Sequence, residues 1–296
     1  VSMIARKVIM VRPSAFRFNI ETAADNAYQV NDATLPAEAV QERAEAEFLS
    51  VVRALETAGV QVDVLHDKGD DTPDSIFPNN IFVTFEGKLF IAPMYSDNRQ
   101  REFPKLKDQL DALLNFSSLE VTDFRDKNLG VLEGTGSVVL DRKENIAYAC
   151  LSKRCEEAAF LAFCDTYGFA PLPFNARQHD ADVYHTNVIL SVAEDFAVVA
   201  SELVTENKEA LMERLHATKK TVIEVTGEQI DHFCGNCLEL MGEEKLYLMS
   251  EDAYKHFTKE QIAKIEATHK IVHVPMDVIS TYGGGSMRCI LAENYC

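Results

Sequence analysis

Phe77-Pro-Asn-Asn80-Ile-Phe-Val, a turn at Glu86-Gly87-Lys88 and then Leu89-Phe-Ile-Ala92 read as a polar loop followed by a β-hairpin. Aromatic and β-branched runs flank a glycine turn, which is the signature of two short paired strands. The pattern recurs along the chain. Glu133-Gly-Thr-Gly-Ser137-Val-Val-Leu with Ile146-Ala-Tyr-Ala149 repeats it, as does His185-Thr-Asn187-Val-Ile-Leu with Phe196-Ala-Val-Val-Ala200. Cys234-Gly-Asn236-Cys-Leu-Glu-Leu with Lys245-Leu-Tyr-Leu-Met249 is a fourth copy. A fifth opens at Gly283-Gly-Gly-Ser-Met-Arg-Cys289-Ile-Leu, and its closing strand can come from Val8-Ile-Met-Val near the other end of the chain. The matched positions Asn80, Ser137, Asn187, Asn236 and Met287 step by roughly fifty residues.

Between hairpins lie helix-like stretches. Ala37 to Gly59 places Val40, Ala44, Phe48, Val51, Val52 and Leu55 at helical spacing, and Glu156–Thr166, Lys208–Thr218 and Lys259–Thr268 follow later hairpins. Each of these last three leads to a short strand, at Ala170-Pro-Leu, Val222-Ile-Glu-Val and Ile271-Val-His-Val. A unit this small cannot bury its own apolar face, so successive units must cover one another. The expectation is an α/β fold in which residues 1–296 form one domain, a closed ring with strands toward the axis. Equivalent loops then lie at one end of the ring. Asn79, Asn80, Glu133, His185, Asn187, Cys234, Asn236 and Cys289 are expected to converge on that mouth.

Composition narrows the function classes. The 296 residues are 47% hydrophobic, enough for a large core, and carry Lys+Arg 29 against Asp+Glu 47, a formal charge of -18. That charge repels phosphate backbones and anionic lipid, so neither nucleic acid nor membrane is expected as a partner. No apolar run approaches the roughly 18 residues of a membrane span, and early charges break the first stretch too soon for a signal peptide, so a cytoplasmic location is expected. Seven cysteines at irregular spacing fit reduced thiols better than a disulfide framework.

A cysteine, a histidine, a glutamate and several amides around one pocket are the parts of nucleophilic catalysis. Cys289 would attack as thiolate, His185 would move protons, and Glu133 would orient the imidazole. The three glycines ahead of Cys289, Gly284 central among them, remove side chains where backbone must approach a bound molecule. Taken singly, each residue has an ordinary reading: a buried cysteine, a turn carboxylate, a strand-end histidine, turn-forming asparagines. Their recurrence at one repeat position favours the site.

As a set these motifs resemble the guanidine-modifying superfamily of arginine deiminases, dimethylarginine dimethylaminohydrolases and amidinotransferases. The resemblance implies a five-bladed α/β propeller (pentein) of ββαβ repeats, no cofactor, no metal, and often a homodimer. Gly283-Gly-Gly-Ser-Met-Arg-Cys289 looks like its nucleophile loop, Glu133-Gly-Thr-Gly like its acidic segment, and Tyr184-His185-Thr-Asn187 like its H-x-D segment. Pro93-Met-Tyr-Ser-Asp-Asn-Arg99 and Leu151-Ser-Lys-Arg154 resemble stretches whose arginines hold a substrate α-carboxylate, a task suited to a forked guanidinium.

The departures concern the substrate. Arginine deiminases carry F-T-R-D and H-x-D where this chain has Phe77-Pro-Asn-Asn80 and His185-Thr-Asn187. Amides can donate to a neutral ureido carbonyl, whereas ionised carboxylates only accept. The expectation is therefore a small-molecule amino-acid substrate, with citrulline converted to ornithine, ammonia and carbon dioxide, and with Asn79, Asn80, Asn187, Arg99, Arg154 and Gly284 binding it. Hydrolysis of arginine or methylarginine, amidino transfer, and a non-catalytic amino-acid-binding module are the alternatives. A metal reading of His179, Asp180, Asp182 and His185, or of Cys234-Gly-Asn-Cys237, lacks ligand spacing for a closed site. Residues 67–75, rich in Asp, Gly and Pro, read as the mobile cover over the mouth.

Overall fold

The structure is a computed structural model that describes residues 3–296. Strands β1 (Lys7–Arg12), β2 (Gln61–His66), β3 (Phe82–Phe85), β4 (Lys88–Ile91) and β5 (Glu120–Asp123) come first. They are followed by β6 (Val138–Asp141), β7 (Ile146–Cys150), β8 (Ala170–Gln178), β9 (Ala181–Asp182), β10 (Leu190–Val192), β11 (Phe196–Val199) and β12 (Val204–Glu206). The last are β13 (Thr221–Glu224), β14 (Leu238–Met241), β15 (Lys245–Ser250), β16 (Lys270–Val274) and β17 (Ala292–Glu293).

Among the described residues these strands form five sheets of one recurring topology. In each, an antiparallel hairpin is extended by a third strand parallel to its second member: β3-β4-β5, β6-β7-β8, β10-β11-β13 and β14-β15-β16. The parallel step needs a crossover, and helices 102–114, 157–167, 208–217 and 259–266 supply it. The β6-β7-β8 sheet is widened by β9 and β12. The fifth sheet joins the two ends of the chain, since β17 pairs antiparallel with β1 at Val8–Glu293 and Ile9–Ala292, and β1 runs parallel to β2. Its crossover is the helix Ala37–Thr57, which buries Val40, Ala44, Phe48, Val51 and Leu55 and leaves Val52 half-buried.

The hairpin strands are buried on both faces, which is why they read as continuous apolar runs rather than alternating ones. Phe90 on β4 meets Phe124 edge-on at 4.9 Å and Phe163 at 5.0 Å, so the first sheet packs onto the helix of the second. In four of the five units the hairpin is preceded by one short turn of helix: Pro78–Asn80, Gly134–Ser137, Thr186–Val188 and Arg288–Ile290. Those turns aim the functional side chains.

Residues 67–75 differ from the expected mobile cover. Asp67 accepts from Thr72 at 3.1 Å, Ser75 at 2.6 Å and Lys105 at 3.0 Å, and Asp67, Thr72, Asp74 and Ser75 are buried. An internal carboxylate has organised this loop. The cover is formed instead by residues 19–30, where Gln29 donates to the Tyr282 carbonyl at 3.2 Å and the Val30 amide to Thr281 at 2.7 Å.

Because β1 completes the sheet that the chain's other end begins, Ile9 is a point where closure can be tested. It is fully buried beside Ala292. Ile9→Ala is expected to cost about 2–5 kcal/mol in denaturant unfolding, whereas Val121→Ala, at a site 40% exposed, should stay within about 0.5 kcal/mol.

Candidate active site

The cysteine-bearing loop is built from a helix that stops on glycine. Helix Asp277–Gly283 ends with Gly284 in the left-handed region at φ +66, and the Gly284 carbonyl accepts from the Tyr184 hydroxyl at 2.7 Å. At Gly285 an added Cβ would come within 3.1 Å of the Cys289 sulfur, so glycine lets this backbone fold over the thiol without crowding it. Cys289 starts its own hairpin turn, with its amide on the Ser286 carbonyl at 3.1 Å.

Two amides point at the sulfur. Asn236 Nδ2 lies 3.4 Å and Asn187 Nδ2 3.6 Å from Cys289 Sγ. Asn236 is pinned, since its Oδ1 accepts from the Ser286 amide at 3.0 Å and its Nδ2 also reaches the Asn187 carbonyl at 2.9 Å. Burial raises the Cys289 thiol above its ordinary value, opposed by Asn236, Ser286, the Arg288 charge and Asn187. The resting sulfur is therefore a thiol at neutral pH.

A buried acid–imidazole pair stands at the head of two other hairpin turns. His185 Nε2 is 2.7 Å from Glu133 Oε1, and Glu133 Oε2 accepts from the Tyr95 amide at 3.0 Å. Burial would push the Glu133 carboxyl up, but the His185 hydrogen bond and the Arg154, His185 and Arg99 charges outweigh it and hold it at about 2. Burial also lowers His185, against the pull of Glu133. The resting imidazole is neutral, with its Nε2 proton on Glu133 and its Nδ1 lone pair available. Gly136 makes room for it: a Cβ there would lie 2.8 Å from His185 Nδ1 and 2.5 Å from Asn80 Nδ2.

Both arginines are buried and already paired. Arg99 forks Glu102 through Nε and Nη2, each at 2.9 Å, reaches the Phe77 carbonyl at 3.0 Å, and donates through Nη1 to Asn80 Oδ1. Arg154 forks Asp25 from the covering segment, donates to the Thr22 carbonyl at 2.7 Å, stands 3.7 Å from Glu133 and packs over the Tyr184 ring. In this structure neither guanidinium has an unpaired fork turned to solvent. Asn80 passes its Nδ2 to Asn79 Oδ1 at 2.7 Å, and Asn79 Nδ2 has no partner.

Cys289, His185, Glu133, Asn79, Asn80, Asn187 and Asn236 thus converge as the repeat implied. Cys234 does not join them. Its sulfur donates to the Ala253 carbonyl at 3.5 Å within a separate apolar cluster, and Cys237 lies beside it as a free thiol. Gly284 meets the cover rather than the sulfur, an added Cβ there lying 2.5 Å from Asn26 Nδ2. Two residues absent from the sequence reading belong here. Asp74 is buried with Oδ2 held by Asn19 at 3.0 Å and Thr22 at 2.9 Å, while its Oδ1 has no partner. Asp25 occupies the Arg154 fork. Neither has a spacing signal, because contacts 52, 55 and 129 residues away leave no local pattern.

Comparison with known proteins follows the same lines. Residues 12–296 match the family model described as N,N dimethylarginine dimethylhydrolase, eukaryotic. The chain belongs to that family. With it comes membership of the guanidine-modifying superfamily, and the protein is a hydrolase of non-peptide C–N bonds. Among solved structures, the substrate-bound N-terminal domain of ArgZ, an arginine dihydrolase from the ornithine-ammonia cycle in Cyanobacteria, superposes with TM-score 0.77 at 16% identity, over 98% of this chain and 99% of that one. An asparagine-to-serine variant of the same domain, covalently bound to a reaction intermediate, gives 0.77 at 16%, over 97% and 96%. A cysteine-to-serine mutant of DDAH from Pseudomonas aeruginosa complexed with citrulline gives 0.70 at 13%, over 99% and 100%. Among curated proteins no sequence matches.

A thiol raised by burial has a measurable consequence. In the free protein, alkylation of Cys289 by iodoacetamide should be slow at pH 7 and accelerate steadily into the alkaline range, followed by peptide mass spectrometry. A rate already at its plateau below pH 7 would show a resting thiolate and contradict the burial argument.

Proposed function

We propose that residues 1–296 form a single five-bladed α/β-propeller catalytic domain that hydrolyses the ureido group of an amino acid, citrulline giving ornithine, ammonia and carbon dioxide. The five recurrent sheets, and the pairing of β17 with β1, support the closed propeller. The substrate reading is carried by one contact. An arginine has only donors, so the Asn80 atom facing Arg99 Nη1 must be the carbonyl oxygen, and the amide nitrogen is left on the side of His185 and Gly136. Asn79 adds an unpartnered amide nitrogen nearby. Donors at this position suit a ureido oxygen. A guanidinium presents no acceptor there.

Arg99 is then a positioning residue for Asn80, and Arg154 binds the substrate α-carboxylate. Asp25 now fills the Arg154 fork with the same bidentate geometry a substrate carboxylate would use, so one carboxylate replaces the other when residues 19–30 lift. The free oxygen of Asp74 faces the substrate ammonium. Binding puts the ureido carbon over Cys289. His185 Nδ1 takes the thiol proton, and the thiolate attacks that carbon while Asn80 and Asn79 donate to the developing oxyanion. Collapse breaks the terminal C–N bond, with the His185 proton leaving on ammonia, and gives an S-carbamoyl cysteine. Water deprotonated by the same nitrogen then displaces the sulfur. The resulting N-carboxy-ornithine loses carbon dioxide, so citrulline and one water account for all three products. Glu133 keeps His185 oriented and stabilises its charged form in both steps.

A second reading takes arginine first. The ionised Glu133 could hold a guanidinium, and one thiol cycle on arginine releases ammonia and leaves citrulline in place for another. The superposition on an arginine dihydrolase supports it. Product analysis by mass spectrometry after incubation with citrulline and with arginine separates the readings. Ornithine from citrulline is expected, reduced by about 10³-fold or more in Cys289→Ser. Citrulline accumulating from arginine, with citrulline itself inert, would overturn the ureido assignment. Asn80→Asp keeps an oxygen on Arg99 but removes the donor, and should raise the arginine-to-citrulline ratio of kcat/KM by about tenfold or more.

A further inference from the structure

Outside the Cys289 site, two imidazoles share one carboxylate. His232 Nδ1 lies 2.9 Å from Asp252 Oδ2, while His256 Nδ1 lies 3.3 Å from Asp252 Oδ1 and 2.7 Å from the Asp252 carbonyl. The two rings stack face to face, with centroids 3.4 Å apart and planes 3° from parallel. Full face-to-face overlap is the arrangement that ring quadrupoles favour least, so a common partner at their edges is what gathers them. One ligand atom from each of His232, Asp252 and His256 falls within 4.8 Å of the others, and among the described residues this is the group of three that does so.

The scaffold behind them is fixed from several sides. Asp252 and His256 are four residues apart on helix Glu251–His256, whose N-terminus is capped by Ser250 through the Ala253 amide at 3.1 Å. His232 follows helix Gly227–Asp231, itself closed by a Thr226–Gln229 capping box. Gln229 ties the two helices, donating to the His256 carbonyl at 3.0 Å and to Gln261 at 2.7 Å. A cavity of about 330 Å³ opens beside the cluster, lined by His232, Asp252, Asp231 and Asp277 on one side and by Ala27, Tyr28 and Val30 of the covering segment on the other.

We propose that His232, Asp252 and His256 bind a divalent transition-metal ion of the zinc type, with a water from this cavity as fourth ligand. Two nitrogens and one carboxylate oxygen are a donor set for Zn²⁺, which takes ligands at roughly 2.0–2.2 Å in a tetrahedron whose edges are about 3.3 Å. His232 Nδ1 lies 2.9 Å from one Asp252 oxygen and His256 Nδ1 3.3 Å from the other, so both imidazoles already flank the carboxylate. What must change is one ring: turning the half-exposed His256 about its Cβ–Cγ bond breaks the stack and brings its lone pair onto the ion. The site stands apart from the thiol chemistry and does not depend on the substrate assignment.

The test is calorimetric titration of zinc chloride into the Cys289→Ser protein, which lacks the reactive thiol as a competing ligand. One site is expected, weakened at least tenfold by His232→Ala and by His256→Ala, each checked for an unchanged melting temperature without metal. Cobalt(II) titrated in place of zinc should develop the strong visible absorption of a tetrahedral site, absent in both variants. Zinc affinity equal in all three proteins would overturn the proposal, as would no binding in the first. An octahedral cobalt spectrum would overturn the four-coordinate geometry.

Discussion

A carboxylate that is completely buried and still ionised governs the arrangement of this molecule. Glu133 has no exposed surface, and the cost of keeping its charge there is offset by a short bond to His185, the Arg154 guanidinium and the Tyr95 amide. Remove any partner and a charge is stranded in the core, which typically costs about 3–5 kcal/mol. The partners come from three separate stretches of chain, at residues 95, 154 and 185. The charge network and the fold therefore specify each other.

The same logic extends outward through Arg154 to Asp25, so charge joins the apolar packing of the buried Tyr28 ring in attaching the covering segment. It extends separately through Arg99, whose pairing with Glu102 neutralises it in the core and fixes Asn80 as a by-product. One arginine is paired with the covering segment, the other with a buried amide. Their likeness as motifs conceals two different physical situations. Arg154 is held by a carboxylate from a segment that rests on the site, Arg99 by one from its own helix turn three residues on.

Much of this was legible in the chain. The fifty-residue recurrence of polar loop and apolar hairpin gave the five sheets and even the completion of the last by residues 8–11, because buried hairpins leave unbroken runs of Val, Ile, Phe and Ala. Cys289, His185 and Glu133 could be placed together because each opens an equivalent hairpin. The cover could not. Residues 67–75 have a loop's composition yet are organised by the buried Asp67, while residues 19–30 carry no periodic signal and take their place from Asn19, Asp25, Asn26 and Gln29, each bonded to a distant residue. Composition reports solvent exposure poorly where one internal carboxylate can order a loop. Cys234 was misplaced for a related reason: it shares the repeat position, but in that unit Asn236 turns inward and the sulfur packs against Ala253.

Charge conservation is the last step. The closed site balances Arg154 against Asp25 and Glu133, and Arg99 against Glu102. On the proposed reading, an entering amino acid would set its carboxylate in place of Asp25 and its ammonium against Asp74. Burial has pushed the Asp74 carboxyl up, and an arriving cation reverses that pressure and favours its ionised form. With a neutral ureido head the buried charge on the reacting side would be unchanged, and Glu133 would stabilise the imidazolium formed as the thiol loses its proton. A guanidinium head would add a positive charge within reach of Glu133 and compete with His185 for it. That competition would lower the proton affinity of the imidazole at the step where it must act as base. On the proposed reading, the Asn80 amide and the ionised Glu133 beside His185 would both favour an uncharged substrate head.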